Sequence, residues 1–352
     1  MIVVLFFSFI FLVIFNLIGY PFLLWFLPSK RYELDPDFTP TITILISAFN
    51  EEKVINKKIK NSLDINYPSD LMQILVVSDG STDNTDNIAR SFKEIDFIRL
   101  KHQGKTNAQN EAIKSATGEI IIFSDANSIY EPNAVEHLVK WFYDPMIGCV
   151  CGELKYDKKS NEGLYWKYEK ILKLLESRIG KLLGANGGIY AIRKSDYITL
   201  PIDSISDFVE PLLIFGNGKD IVFEEDAKAI EPAPIAMYSR KRRIILRTIT
   251  SLKYLKSLIN PFNKRNLFFH LLSHKILRWS MPFLLIGILS TNIILTQKDI
   301  LFEYALYCQI AFYLTGFFIS PVKYFIIVNI AVLMAIIDSL RGKSTITWQV
   351  VR

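Results

Sequence analysis

The feature that most constrains this fold is a set of three apolar segments, each of which ends in a polar cluster. The segments "TITILIS", "QILVV" and "EIIIF" lead directly into the clusters that contain Asn50, Asp79 and Asp125. Short apolar runs rich in β-branched residues predict buried strands. The residues between them, such as "EEKVINKKIKNSLDI", have helical periodicity. Strands that alternate with helices predict a parallel sheet with short crossovers.

The carboxyl ends of these strands predict a ligand site. In open α/β sheets, ligands bind beyond the carboxyl ends of the strands. The clusters around Asn50, Asp79 and Asp125 are therefore expected to converge on one edge of the sheet. A carboxylate such as that of Asp79 can accept hydrogen bonds from a base or a ribose. The sequence thus predicts a nucleotide crevice at this edge.

Two other ligand motifs fail on spacing. The "GKT" at residues 104–106 resembles the end of a P-loop, but the first glycine of that motif would fall on Arg99. The "DGSTD" at residues 79–83 lacks the following glycine and the closing glutamate of a calcium-binding loop. Neither motif supplies an alternative to the nucleotide crevice.

The first 27 residues are almost entirely apolar, which predicts a transmembrane helix because a bilayer core needs about 20 residues. No basic start and no small-x-small cleavage site accompany this run, so a cleaved signal peptide is not expected. Lys30 and Arg31 follow at once. Positive residues at this end place the next segment in the cytosol.

Three further apolar runs, at residues 281–296, 304–320 and 324–337, are candidate spans. Three spans would leave the basic tail with Arg341, Lys343 and Arg352 on the far side, against the positive-inside rule. One run can instead be re-entrant or lie at the interface. The composition agrees with a soluble domain joined to membrane helices, because 50% of the residues are hydrophobic and 22% are charged.

The three cysteines, Cys149, Cys151 and Cys308, form neither a zinc pattern nor a disulfide framework. They are expected to be buried thiols in a reducing compartment.

A basic segment, "SRKRRIILRTITSLKYLKSLIN", precedes the C-terminal apolar runs. Its apolar residues recur at helical spacing, which predicts a basic amphipathic helix on the anionic cytosolic leaflet. Nucleic-acid binding is not expected, because the segment lies between an α/β domain and membrane helices. The predicted partners therefore include membrane lipids and no nucleic acid.

Five motifs in order resemble the inverting family 2 glycosyltransferases, and more narrowly the membrane-embedded branch with the poly-N-acetylglucosamine and hyaluronan synthases. They are "ISAFNEE", "VVSDGSTDNT", "GKTNAQNEAIKSATGEIIIFSDAN", "GANGGIYAIRK" and "SHKILRW". The resemblance implies a GT-A fold, a Rossmann-like mixed α/β sheet flanked by helices, with one N-terminal and about three C-terminal transmembrane helices. The implied domains are an N-terminal transmembrane helix (residues 1–29), a cytosolic catalytic domain (30–239), basic interface helices (240–280), C-terminal transmembrane helices (281–340) and a tail (341–352).

The same resemblance implies a donor site. Asp79 would hold the base, and Lys105 would approach the nucleotide. Asp125 and Asn127 stand where the family has its Asp-x-Asp motif for Mg²⁺ or Mn²⁺. An amide oxygen can ligate the metal without charge, so weaker metal binding is expected. The residues that would line the base and ribose pocket are Ala48, Asn50 and Glu51.

By motif order, Asp207 matches the family's catalytic aspartate, although Ser206 precedes it. A general base must lie within hydrogen-bond reach of the acceptor hydroxyl. Glu225 and Asp226 remain competing carboxylates, and Asp207 can also be read as a helix cap or a surface residue.

A loop and a pair of arginines complete the implied site. The loop of Asn186, Gly187 and Gly188 would lie near the acceptor and the sugar, or could be a simple hairpin turn. Arg240 and Arg243 replace the Gln-x-x-Arg-Trp motif of processive relatives, and their guanidinium groups can contact a diphosphate. This departure leaves processivity open.

The expected function is inverting transfer from a nucleotide sugar, by family default a UDP-sugar, to a glycan or lipid-linked acceptor at the membrane. The product would belong to a surface polysaccharide or a glycoconjugate. Two alternatives remain, transfer to a polyprenyl phosphate and a non-catalytic scaffold in envelope assembly.

Overall fold

A mixed β-sheet forms the centre of the chain segment between the N-terminal and the C-terminal apolar helices. A computed structural model describes residues 1–157, 163–233, 236–260, 262 and 265–343. Within these residues the sheet has eight strands in the order β3-β2-β1-β4-β7-β6-β8-β5. The strands are β1 (Ile42–Ala48), β2 (Met72–Ser78), β3 (Asp96–Arg99), β4 (Ile120–Asp125), β5 (Ile129–Tyr130), β6 (Ile147–Tyr156), β7 (Tyr190–Arg193) and β8 (Asp220–Glu231).

The register of this sheet brings the predicted polar clusters together. Strand β1 is parallel to both β2 and β4, and Ala48 pairs with Ser78 while Ser47 pairs with Asp125. The residues that follow these strands therefore share one edge, as the sequence predicts. Strand β7 runs antiparallel to β4 and β6, which makes the sheet mixed.

Helices cover both faces of the sheet and continue toward the C-terminus. Ile44 and Ile46 of β1 pack into one core and Leu45 packs into the other, as expected for a strand buried on both faces. The helices are α1 (Ile2–Phe26), α2 (Ile55–Leu63), α3 (Thr85–Arg90), α4 (Lys105–Ala112), α5 (Ala134–Val139), α6 (Gly163–Arg178), α7 (Ser206–Gly216), α8 (Met237–Ser251), α9 (Lys256–Ile259), α10 (Leu267–Trp279), α11 (Met281–Leu295), α12 (Ile300–Thr315) and α13 (Ser320–Leu340).

Two described helices, α1 and α13, are long and apolar enough to cross a membrane. Helices α10 and α11 meet at an angle of 60° and count as a third candidate span if they act together. Helix α12 is apolar but has only 16 residues. The predicted apolar runs thus correspond to α11, α12 and α13, and two to three candidate membrane spans result. The predicted tail lies outside the described residues beyond Lys343.

Polar contacts attach the candidate spans to the sheet domain and to each other. The Tyr20 hydroxyl of α1 donates to Oε1 of Glu176 in α6 at 2.8 Å, and Asn16 donates to the carbonyl of Ser273 at 2.7 Å. Helix α8 packs along α13, where Arg242 forms an ion pair with Asp338. One face of the predicted interface helix is therefore covered by protein.

The cysteine prediction is correct for two residues and wrong for the third. Cys149 and Cys151 are buried in β6. Cys308 is exposed on α12, an apolar helix that has no fully buried side chain.

Candidate active site

The loops after β1 and β2 are tied together at the predicted nucleotide edge. Asn50 has a positive φ of 54°, a conformation that asparagine tolerates better than most residues. Its side-chain oxygen accepts from the backbone N–H of Thr82 at 2.8 Å. Glu51 is buried, and its backbone N–H donates to the hydroxyl of Thr85 at 2.8 Å. Ala48 accepts the N–H of Asp79 at 2.9 Å, so these residues lie together as predicted.

Asp79 is fully buried and holds the loop that leads into α4. Its two carboxylate oxygens accept from the backbone N–H groups of Gln103 and Gly104, both at 2.9 Å. His102 Nδ1 lies 2.9 Å from Oδ2, and the His102 ring stacks on Phe49 with centroids 4.2 Å apart. The contact between Asp79 and a base stays a prediction. The sequence motifs did not identify the aromatic pair.

Lys105 connects the nucleotide edge to the predicted metal motif. It is the first residue of α4, and its ammonium group forms an ion pair with Asp125 at the end of β4. The same ammonium lies 3.3 Å from the carbonyl oxygen of Gly187. Three segments far apart in sequence therefore meet at one lysine.

Asp207 lies in the first turn of α7, where the helix dipole favours a carboxylate. Its carbonyl accepts the N–H of Ala185 at 2.7 Å, which joins α7 to the glycine-rich loop. Burial raises the pKa of Asp207; the Asp125 carboxylate raises it further, whereas Lys105 and Arg247 lower it. A carboxylate with a raised pKa is a stronger base, so this environment suits proton abstraction.

The two competing carboxylates lie elsewhere. Glu225 is exposed and pairs with Lys170 at 2.9 Å. Asp226 is also exposed and pairs with Lys228 at 3.1 Å. Of the three candidates, Asp207 is the one placed beside the Lys105–Asp125 pair.

The glycine-rich loop is a tight turn that lies beside Lys105 and Asp207. The N–H of Ile189 donates to the carbonyl of Asn186 at 2.9 Å. The Asn186 side chain donates to Gly152 at 2.5 Å and accepts from Lys173 at 2.7 Å, so it anchors the turn. A Cβ on Gly188 would lie 2.4 Å from the Ser128 hydroxyl. The turn can therefore approach the site only with glycine here.

Two buried charged residues near Asp125 were not identified from the sequence. Glu231, at the end of β8, accepts from the Ser128 hydroxyl at 2.5 Å, and burial raises its pKa with a further contribution from Asp125. The fully buried Lys58 ammonium donates to the Ser128 carbonyl at 2.7 Å. Burial lowers the pKa of Lys58 to about 7, although Asp125 and Glu231 oppose the shift. Both residues support the turn after β4.

Three arginines of α8 form a positively charged stripe. Arg240, Arg243 and Arg247 are spaced by three and four residues, which places them on one helix face. Arg240 lies 3.6 Å from Glu231, and Arg247 donates to the Ser204 carbonyl at 2.8 Å. Burial lowers the pKa of Arg243, and the other two arginines lower it further. Clustered positive charge of this kind favours an anion. Arg247 was not among the predicted site residues.

The residues after β4 fit a divalent metal whose coordination is completed by substrate. Within the described parts of the chain, no group of three or more His, Cys, Asp or Glu side chains is arranged to hold a metal ion. Asp125 and Asn127 offer a carboxylate and an amide oxygen on one turn. Mg²⁺ is commonly bound by one or two carboxylates together with substrate phosphates. This donor set therefore suits a metal bound with a phosphorylated substrate.

Comparison with known proteins identifies the domain. Residues 43–198 match the family described as "Glycosyl transferase family 2". The chain is 31% identical over 138 residues to the poly-beta-1,6-N-acetyl-D-glucosamine synthase of Staphylococcus aureus (strain COL), covering 38% of this chain and 33% of that protein. It is 34% identical over 125 residues to the "Probable glycosyltransferase YdaM" of Bacillus subtilis (strain 168), covering 33% and 30%. The matched region thus spans about a third of the length of these curated relatives.

A solved structure supports the same fold over nearly the whole chain. The mannosyltransferase PcManGT from Pyrobaculum calidifontis, solved in complex with GDP-Man and Mn²⁺, superposes with a TM-score of 0.75 at 20% identity. The superposition covers 97% of this chain and 100% of that one. Residues 43–198 are therefore similar to the family 2 glycosyltransferases, and the sheet domain has a GT-A-like fold.

Proposed function

We propose that this protein transfers a sugar from a nucleotide-sugar donor, with inversion, to an acceptor hydroxyl at the cytosolic face of a membrane. The observation that carries the proposal is the position of Asp207, a carboxylate with a raised pKa beside Gly187 and the Lys105–Asp125 pair. A UDP-sugar is the proposed donor, as the resemblance implies. The names of the relatives support a glycan product.

We assign the base and ribose, the diphosphate and the sugar of the donor to three different regions of the site. The base and ribose would lie at Asn50, Glu51 and Asp79, beside the stacked His102 ring. The diphosphate would lie between the arginine stripe of α8 and Lys105, because guanidinium and ammonium groups bind phosphate oxygens. The sugar would then lie over the turn at Gly187. This arrangement places the anomeric carbon near Asp207.

The chemistry follows from that placement. Asp207 accepts the proton of the acceptor hydroxyl as the acceptor oxygen bonds to the anomeric carbon. The bond to the diphosphate breaks, and attack from the opposite face inverts the configuration. A bound divalent cation, Mg²⁺ or Mn²⁺, neutralises charge on the leaving diphosphate, and Asp125 and Asn127 are the residues that would hold it.

The cytosolic assignment follows from the charges beside α1. Lys30 and Arg31 follow this candidate span directly, which favours the cytosol for residues 30–239. Nucleotide sugars for this domain would then come from the cytosol. The domain boundaries predicted from the sequence remain part of this proposal.

The test is a donor screen with the full chain in lipid nanodiscs. A panel of UDP-, GDP- and other nucleotide sugars is incubated with Mg²⁺ or Mn²⁺ and membrane lipid extract, and nucleoside diphosphate release is measured. We expect release from one donor class. No release from any donor, with the lipid extract present, would overturn the proposed function and favour a scaffold.

A further inference from the structure

A cavity of about 470 Å³ separates the catalytic domain from the candidate membrane spans. Asp207, Gly184 and Ala185 line its catalytic end. Phe325 and Val332 of α13 line the opposite wall. This volume is typical of a ligand pocket. The cavity therefore joins the proposed base to a surface formed by membrane helices.

The wall on the membrane side is mostly apolar, although Tyr324 and Asn329 of α13 also line it. It includes Met281 at the start of α11 and Val328 and Val332 on α13. A free sugar chain placed there would lose hydrogen bonds to water and gain none from these side chains. A hydrocarbon chain would instead gain from burial against them. The wall thus matches the chain of a lipid better than a soluble glycan.

Besides Asp207, four charged residues line the cavity. They are the cations Lys241, Lys275 and Arg278 and the carboxylate Glu169. Arg278 is already paired with Glu169, and the Lys241 ammonium lies over the Tyr165 ring at 5.3 Å.

Lys275 differs from these two cations. Within the described chain, its ammonium has neither a hydrogen bond nor a salt bridge. The carboxylates of Glu169 and Glu176 both lie nearby. Glu169 is paired with Arg278, and Glu176 accepts from Tyr20 and contacts His274. A cation in a largely apolar cavity is stabilised by an anion, so Lys275 marks the place for one.

The proposed general base, Asp207, indicates which chemical group of the ligand lies next to it. A phosphate oxygen is already ionised near neutral pH, since its second pKa is about 6, and needs no general base. It would also be repelled by the Asp207 carboxylate. A hydroxyl needs a base and is not repelled. The group next to Asp207 is therefore a hydroxyl, and the anion lies further along the cavity at Lys275.

We propose that this cavity binds a phospholipid-type acceptor, whose phosphate lies at Lys275, whose head-group hydroxyl reaches Asp207 and whose chain lies along α13. This assignment names the acceptor class for the proposed function and rests on it. In the transfer, the lipid hydroxyl oxygen bonds to the anomeric carbon and its proton passes to Asp207. The nucleoside diphosphate leaves with the electron pair of the broken bond.

Binding is tested with three lipid probes on the full chain in neutral detergent, by native mass spectrometry. Phosphatidylglycerol has both phosphate and hydroxyl, phosphatidate has the phosphate alone, and diacylglycerol has the hydroxyl alone. We expect both phosphate-bearing lipids to bind more tightly than diacylglycerol. We expect Lys275→Gln to weaken phosphatidylglycerol binding about tenfold, as for a lost charged hydrogen bond. Lys275→Arg should restore it, and Val332→Trp should block it by filling the cavity.

Lys298→Gln is the matched control, because Lys298 is exposed and outside the cavity. Melting temperatures identify variants that fail to fold. Equal binding of phosphatidylglycerol and diacylglycerol, or unchanged binding in both Lys275→Gln and Val332→Trp, would overturn the lipid site. Selective lipid binding without nucleoside diphosphate release from any donor would instead overturn the proposed function alone. Sugar transfer to phosphatidate in place of phosphatidylglycerol would overturn the hydroxyl assignment.

Discussion

Gly187 and Asp207 lie so close together that no side chain fits between them. A Cβ added to Gly187 would lie 2.6 Å from Oδ2 of Asp207 and 3.3 Å from Nζ of Lys105. Because the backbone of Asp207 is held in the first turn of α7, the added atom would displace its carboxylate. The turn and the proposed base therefore determine each other's position.

Gly187→Ala should lower kcat by about 10²-fold, since a displacement of about 1 Å at the reacting groups can cost this much. Donor affinity should change far less, because the base and ribose region is distant in the proposed arrangement. Steady-state kinetics and calorimetric donor binding measure the two effects separately. An unchanged melting temperature is the control for folding. Wild-type turnover in this variant would show that the carboxylate is not held by the glycine turn.

The arginine stripe predicts that substitutions of Arg243 and of its neighbour Arg242 have different effects on nucleoside diphosphate binding. Arg243→Gln should weaken nucleoside diphosphate binding about tenfold, as expected for the loss of a charged hydrogen bond. Arg242→Gln is the matched control, because Arg242 pairs with Asp338 on α13. Calorimetry with UDP and GDP measures both. If the two substitutions weaken binding equally, the effect comes from the charge of α8 as a whole and not from the stripe.

The polar clusters at the carboxyl edge of the sheet were predictable because the sequence pattern that indicates each one is local. Each strand and its polar cluster occupy a few consecutive residues, and parallel register then aligns Ser47 with Asp125. Lys58 was not predictable, because "KKIKNS" has the composition of a solvated helix face. Its burial arises from Ser128 and Tyr130, about 70 residues later. Such a contact has no signal in the local pattern.

Long-range packing also determines which face of α8 is covered by protein, and the sequence did not show this. The segment was predicted as an amphipathic helix on the lipid surface, with Arg240 and Arg243 as diphosphate contacts. Helix α13 covers part of it, and Arg247 joins these two arginines on the face near Asp207. Glu231 is the last residue of β8, as Asp125 is of β4, but the charged residues within β8 hid that strand end in the sequence.

Asp125 is expected to control metal binding. Asp125→Ala should abolish Mn²⁺ binding in the presence of UDP, because it removes the charged ligand and leaves the neutral amide of Asn127. The free Mn²⁺ signal in electron paramagnetic resonance measures this without turnover. Asp226→Ala is the control, since that carboxylate is exposed and pairs with Lys228. Retained Mn²⁺ binding in Asp125→Ala would exclude Asp125 as a ligand.

Glu210 predicts how stability depends on pH. It is fully buried on α7 and accepts from the Tyr190 hydroxyl at 2.9 Å. Burial raises the pKa of Glu210 from 4.5 to about 8, with a further contribution from Asp207. Because the folded pKa exceeds the unfolded value, its stabilising contribution is complete below pH 4.5 and is lost as the pH rises toward 8.

Glu210→Gln should therefore flatten the fall in melting temperature over that interval, where one such group contributes up to about 1.4 kcal/mol per pH unit. Melting curves at several pH values in one detergent measure the slope. Glu225→Gln should leave the slope unchanged, because Glu225 is exposed. An equally steep slope in Glu210→Gln would place the pH dependence elsewhere.

The most direct test of the central claim compares Asp207→Asn with Glu225→Gln in the same nanodiscs and with the same donor. The account predicts that Asp207→Asn binds the donor with wild-type affinity and loses about 10²- to 10⁴-fold in kcat, the usual contribution of a general base. Glu225→Gln should retain both properties. Full turnover by Asp207→Asn would contradict the account and remove Asp207 from the mechanism.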